Sequence, residues 1–234
     1  EEKKGKEVVE KRNLKIAIVM DDLGQSDKFL QWFYENRFPL TLSFIPNLPH
    51  SREMAEKLHN IGYEIIIHLP MEPENYPEVN PGEGALLLSM KKDEIEEKIE
   101  EFSRQFPFAR GLNNHMGSSF TSNLYKMEEL MEILKTKGFF FLDSRTTPET
   151  KGYETARRAG VPFLERDVFL DNALERRVIK RQFEELLKKG KKKGYGIGIC
   201  HPHPQTFDAI KEIFSGYSGK VDFVKLGQIF SSIK

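Results

Sequence analysis

The sequence predicts an α/β fold whose parallel strands close into a barrel. Three observations carry that expectation. From about residue 14, short apolar runs alternate with helical patterns, which argues parallel pairing through crossover helices. Six of those runs end in ionisable or metal-competent side chains, as the C-terminal rim of a parallel barrel does. The chain has 234 residues and 38% hydrophobic content, enough for one sizeable core.

Residues 1–13 are mostly charged and show no core-facing pattern, so they read as a tail or linker ahead of one domain over 14–234. The apolar runs fall near 14–20, 40–45, 62–67, 110–114, 138–142, 161–164, 195–200 and 221–226. Helical periodicity is clearest over 51–60, 91–106, 124–137 and 174–193. Asp171-Asn172 is placed to cap the last of these. The connection over 69–88 is rich in Pro and Gly and long for a compact domain, a pattern typical of functional or mobile loops. No internal repeat is visible.

Lys plus Arg number 36 and Asp plus Glu 36, so the chain lacks the basic excess of a nucleic-acid footprint. The single cysteine, Cys200, excludes an intramolecular disulfide and a Cys-based zinc finger. Within a strand run it reads as buried and inert rather than as a nucleophile. No apolar stretch reaches membrane-spanning length. The chain opens on Glu1-Glu2-Lys3-Lys4, with neither initiator Met nor signal peptide, and reads as a mature or truncated form.

The polar residues at the strand ends are the candidate site. Ile16-Ala17-Ile18-Val19-Met20 stops at Asp21-Asp22. Two adjacent carboxylates disfavour each other's ionisation, and a cation would remove that cost. Asp22 as a helix cap beside a solvated Asp21 is the other reading. His68 closes the third run, where a structural histidine is common. His115 lies in a polar stretch with poor helix and strand signals, which favours a loop. One Asp with two His is a frequent zinc donor set that leaves open positions, so Asp22, His68 and His115 form the candidate metal group. Glu72 could be a fourth ligand, an orienting partner or an exposed carboxylate. His201, directly after the run 195–200, suits general-acid work near neutral pH, whereas His203 should face solvent. Asp143 and Arg145 end the fifth run as a pair able to hold a base, or as a rim salt bridge. Glu165, Arg166 and Asp167 follow the sixth. Tyr76, in the long loop, is a candidate for stacking on a sugar ring.

Five strings, in this order, resemble the divergent polysaccharide deacetylase family. They are Ile18-Val19-Met20-Asp21-Asp22-Leu23-Gly24, His68-Leu69-Pro70-Met71-Glu72-Pro73, Asn113-Asn114-His115-Met116-Gly117-Ser118, Leu142-Asp143-Ser144-Arg145-Thr146 and Gly198-Ile199-Cys200-His201-Pro202. The resemblance spans nearly the whole chain from residue 14. It implies an irregular (β/α) barrel of about seven parallel strands, so one of the eight runs is peripheral. It further implies a divalent metal, most often zinc, and hydrolysis of N-acetyl or O-acetyl groups on a cell-envelope or other glycan. A form from which a signal or anchor has been cut would fit a secreted, periplasmic or envelope-associated location. By the same resemblance Asp21 is the base, Asp22 a metal ligand and His201 the acid. His68 matches the first metal histidine of the active parents. Glu72 occupies the place of the second, and His115 is the substitute. Asn114, Asp143 and Arg145 are the candidate supporting residues, and Arg145 stands in for the parents' arginine only if it reaches the site from another strand. A barrel without turnover that binds glycan or an envelope partner is the alternative. A glycosidase pairing Asp21 or Asp22 with Asp143 is a third.

Overall fold

The computed structural model describes residues 13–231. The expected tail falls almost wholly on 1–12, outside the described residues. The chain runs β1 (Lys15–Leu23), α1 (Leu30–Asn36), β2 (Thr41–Phe44), α2 (Ser51–Asn60), β3 (Glu64–Met71) and α3 (Lys92–Gln105). It continues through β4 (Gly111–Met116), α4 (Ser118–Ser122), α5 (Leu124–Lys137), β5 (Phe140–Asp143), α6 (Gly152–Ala159) and β6 (Phe163–Glu165). It ends with β7 (Val168–Phe169), α7 (Arg176–Lys193), β8 (Tyr195–Cys200), α8 (Pro204–Tyr217), β9 (Asp222–Val224) and α9 (Gly227–Phe230).

The strands form one curled parallel sheet in the order β6-β5-β4-β3-β2-β1-β8-β7, with β9 added beside β1. Its two ends, β6 and β7, are separated in sequence only by Arg166-Asp167. Arg166 N–H donates to Asp143 O on the β5 side, and Asp167 N–H donates to Ile197 O on the β8 side. One interrupted segment thus serves as the seventh stave and joins the edges, which leaves no long unpaired edge strand there. The run over 221–226 is the peripheral strand.

Side chains alternate across the sheet. Ile16, Ile18, Met20, Ile65, Ile67 and Leu112 face outward, into a core shared with helix residues such as Phe33, Ile99, Leu130 and Phe183. Ala17, Val19, Ile66, Leu142, Leu164, Ile197 and Ile199 face inward and fill the barrel. Each fully buried Leu or Ile stabilises the fold by roughly 1.5–3 kcal/mol, so both faces of the sheet favour closure. Leu226 and Ile229 plug the N-terminal end of the barrel. Leu226 N–H donates to Thr41 Oγ1 and Gly227 N–H to the Glu64 carboxylate at the starts of β2 and β3.

The long Pro/Gly-rich connection is tied down. Leu86 N–H donates to Pro70 O, Glu72 N–H to Leu86 O, and Ser119 and Phe120 N–H to Glu72 O. Ala85 and Leu86 are buried. The loop therefore extends the rim beside β3 and α4.

Candidate active site

The layer above the apolar barrel interior is polar. The inward position after Val19 is Asp21, after Ile66 His68, after Leu142 Ser144 and after Ile199 His201. Ser43 and Asn113 supply β2 and β4. Period-two alternation brings these groups together without any local sequence motif.

Asp22 breaks that alternation. Met20 pairs with Leu42 and Leu23 with Phe44, so Asp21 and Asp22 together oppose Ser43 in a bulge. Asp22 has a φ of 56°, a left-handed conformation that Asp tolerates better than most side chains. The bulge turns both carboxylates of the pair towards the rim, where a regular strand would send them to opposite faces.

Asp22 Oδ1 lies 3.0 Å from His68 Nε2 and 2.9 Å from His115 Nδ1, and the two ring nitrogens are 3.2 Å apart. A tetrahedral zinc site with bonds of about 2.0–2.1 Å has ligand–ligand edges of about 3.3 Å, close to this triangle. Asp22 Oδ1 is buried and accepts no hydrogen bond of acceptable geometry, although both imidazoles are within reach. Among the described residues, these three are the group of His, Cys, Asp or Glu that could hold a metal. Burial works against ionisation of Asp22, but the two imidazoles outweigh it and hold the carboxyl far below its ordinary range.

Asn113 fixes the tautomer of His68. Its Nδ2 lies 2.9 and 3.0 Å from the two Asp21 oxygens, which as a carboxylate only accept. The amide oxygen must then face the other way, 2.9 Å from His68 Nδ1 and 2.6 Å from Ser43 Oγ. An oxygen there needs donors, so His68 carries a proton on Nδ1 and turns Nε2 towards Asp22 and His115. Burial opposes a second proton on the ring, but Asp21 and Asp22 outweigh it and raise the His68 pKa.

Asp21 is 2% exposed. Burial raises its pKa, partly offset by His68 and His201 and by the Asn113 hydrogen bond. Its Oδ2 is 3.7 Å from His68 Nε2. His201 Nε2 stands 4.0 Å from Asp22 Oδ2, across the same mouth. Behind it, Asp171 accepts from His201 Nδ1 at 2.9 Å, from His201 N–H at 2.6 Å and from Thr206 Oγ1 at 2.9 Å. Burial opposes the imidazolium, but Asp171, Asp21 and Asp22 outweigh it and push the His201 pKa up to about 9.

Asp21, Asp22, His68, His115 and His201 therefore share one mouth. His115 belongs to β4 rather than to a loop, in register with Pro70. Other expectations are corrected. Asp171 does not cap α7, whose N-cap is Glu175; it holds His201. Asp143 has the outward parity, and its carboxylate accepts from Arg145 N–H and Thr150 Oγ1. It braces the loop after β5 and orients neither Asp21 nor His201, and a glycosidase pair across the mouth is not formed. Arg145 points to Glu165, 3.9 Å away, rather than to the base or acid. Asn114 is also outward; it accepts from Ser144 N–H and donates to Met116 O, supporting the strand ends. Glu72 accepts from Leu88 N–H at 2.7 Å, so its carboxylate anchors the long loop. Cys200 is fully buried, with a thiol pKa pushed well up by burial. The structure adds Asn113 and Asp171 to the site. Parity with His68 along paired strands points to Asn113, whereas two-residue β7 gives no periodic signal for Asp171.

A curled parallel sheet with seven staves and an acid/imidazole mouth at its C-terminal rim defines a deacetylase-like (β/α) barrel. The chain belongs to the divergent polysaccharide deacetylase family, which it matches over residues 18–230. It is 35% identical over 217 residues to the uncharacterized protein YibQ of Escherichia coli K12, covering 93% of this chain and 67% of that protein. The crystal structure of an uncharacterized protein from Agrobacterium tumefaciens C58 superposes with a TM-score of 0.84 at 24% identity, covering 93% of this chain and 89% of the other. The catalytic domain of a peptidoglycan N-acetylglucosamine deacetylase from Eubacterium rectale shares the fold with a TM-score of 0.52 at 12% identity, over 93% of this chain and 90% of that one.

Proposed function

We propose that the chain is a zinc-dependent deacetylase that removes N-acetyl or O-acetyl groups from a glycan of the cell envelope, acting outside the cytoplasm. One observation supports this most: a buried Asp22 oxygen without a hydrogen bond, facing two imidazole nitrogens, between a buried carboxylate and a histidine whose pKa is pushed up to about 9. Asp22, His68 and His115 would hold the metal, which supplies Lewis-acid polarisation of the acyl carbonyl and a more acidic water.

The chain's own groups carry the proton transfers. Asp21 takes the proton of the attacking water, and Asn113 Nδ2, shared between the two carboxylate oxygens, fixes the plane of the carboxylate. Burial raises the basicity of Asp21, as base catalysis near neutral pH requires. His201 Nε2 protonates the leaving amine (or alcohol), while Asp171 holds Nδ1–H and keeps the ring cationic. Asn113 Oδ1 accepts from His68 Nδ1–H, so Nε2 is the nitrogen His68 would offer to the metal.

Elemental analysis of the purified protein should give about one zinc per chain, lost in Asp22→Asn. Acetate release from chitin oligomers and peptidoglycan fragments should require that metal. A protein that never binds metal would sink the reading. Bound metal with no acetate release from any of these glycans would favour a binding barrel instead.

A further inference from the structure

Between β6 and β7 the barrel wall has no covering helix. Every other pair of consecutive strands is joined through at least one helix, whereas here Arg166-Asp167 alone makes the connection. A cavity of about 420 Å³ opens at that point, with Arg145, Glu165, Arg166, Asp167 and Lys189 in its wall. A second, of about 360 Å³, shares Arg166, Asp167 and Lys189 and continues to Phe169.

This trough is linked to the catalytic mouth by stacked side chains. The Arg166 guanidinium carbon lies 3.7 Å from the Phe169 ring centre, and the Phe169 ring centre is 5.8 Å from that of His201. Arg166 Nε donates to Ser144 O and Nη2 to Arg145 O, at 2.7 and 3.0 Å. These two bonds and the stack fix the plane of the guanidinium. Its partners are neutral carbonyls; no carboxylate of the described residues lies within ion-pair distance.

The charges around it do not cancel. Asp167 is already engaged, by Lys193 Nζ at 2.8 Å and by Ile197 N–H at 2.8 Å. Glu165 is exposed and 3.9 Å from Arg145. Lys189 Nζ reaches only the carbonyl of Asp167. Glu185, in the wall of the second cavity, is engaged by Lys188 Nζ at 2.7 Å, and Asp143 behind Arg166 is buried and held by Arg145 N–H and Thr150 Oγ1. Of the carboxylates lining the trough, Glu165 is the loosely held one, facing Arg145, Arg166 and Lys189. A fixed guanidinium with a lysine beside it is the arrangement that recognises carboxylate or phosphate.

We propose that this trough is an anion subsite: it binds a carboxylate or phosphate substituent of an acidic glycan whose acetylated unit sits at Asp21 and His201. The inference rests on the glycan reading above and adds the charge class of the substrate. A glycan without acidic groups gains nothing from the trough. An acidic one is oriented by it, with the unit over Phe169 leading towards His201.

Binding of three probes to the metal-loaded protein tests this: tetragalacturonate, inorganic phosphate and the neutral chitin tetramer, each at low and high salt. At least one acidic probe should bind, and weaken as salt rises. Arg166→Gln and, separately, the exposed Lys189→Gln should each weaken it about tenfold. The pair Arg177→Gln/Arg181→Gln, on the far part of α7, should leave it unchanged. Preference for tetragalacturonate or for phosphate identifies the substituent. Binding of the chitin tetramer with neither acidic probe bound overturns the subsite and leaves the deacetylase reading standing. So does equal weakening by the α7 pair, which would mark diffuse attraction to a basic helix. If no probe binds, the glycan reading falls as well.

Discussion

Asn113 is fully buried, and each of its amide atoms is committed: the nitrogen to Asp21 and Ser144, the oxygen to Ser43 and His68. Asn113→Ala would strand several buried polar groups at once. At about 1–3 kcal/mol per unsatisfied group, partly relieved by water, the loss of unfolding free energy should be about 3 kcal/mol in urea titration. Metal affinity should fall about 10–100-fold, since His68 loses the partner that fixes its tautomer. Native zinc affinity in a folded Asn113→Ala would show that the amide does not orient the ligand. Asp171 governs the other side of the mouth. The folded pKa of His201, about 9, lies above its ordinary 6.5, so the His201–Asp171 pair stabilises the fold fully below pH 6.5 and is lost as pH rises through about 9. An acid works only while protonated, so acetate release should persist to about pH 9 in the wild type. In Asp171→Asn the largest of the charges that hold the proton is gone, Asp21 and Asp22 remain, and the alkaline fall should begin at lower pH than in the wild type. An unshifted alkaline limb in pH–rate profiles would remove Asp171 from that role.

At the scale of elements, the site depends on how strands end. β4 passes into α4 through Met116 and Gly117, with φ of 55° and 87°. A Cβ on Gly117 would sit 2.7 Å from Met71 Cβ, and its φ disfavours any L side chain. Gly117→Ala should therefore cost about 1–3 kcal/mol and displace His115, read as a lower unfolding midpoint together with weaker zinc binding. A fully native midpoint would show that the β4 end yields without cost. The same strand ends decide what could be read from sequence. The order of strands and helices was legible because both sheet faces are buried and the apolar runs are long. Asp21, His68 and His201 share the parity of their inward apolar neighbours, and Asn114 and Asp143 have the opposite parity. Counting by two along each run thus separates mouth from wall and corrects the Asp143 and Asn114 assignments. Asp22 escapes that count, because its bulge exists only in the pairing of β1 with β2. Asp171 escapes it because β7 is too short to show a period.

At the scale of the molecule, folding brings Asp22, His68 and His115 together from three different strands, so in the unfolded chain they are far apart along the sequence. A metal bound by all three binds the folded state alone and stabilises it by mass action. At free zinc about a thousandfold above Kd the gain is about 4 kcal/mol. For a domain of this size that corresponds to a rise in Tm of about 10 °C. Asp22→Asn is the informative control. It keeps a residue tolerant of the left-handed φ of 56°, so the bulge is retained, yet it replaces the carboxylate that anchors the donor triangle. Its Tm in the presence of a chelator should fall below that of the chelated wild type, because the carboxylate held by the two imidazoles is gone, while its response to zinc should shrink to a small fraction. Calorimetry of both proteins, with zinc and with chelator, reads the two quantities separately. Equal zinc responses would mean that the ion binds elsewhere and that the Asp/His/His triangle is a hydrogen-bonding cluster of the barrel mouth. A zinc response confined to the wild type would tie stability, and with it the geometry of Asp21 and His201, to occupancy of that triangle.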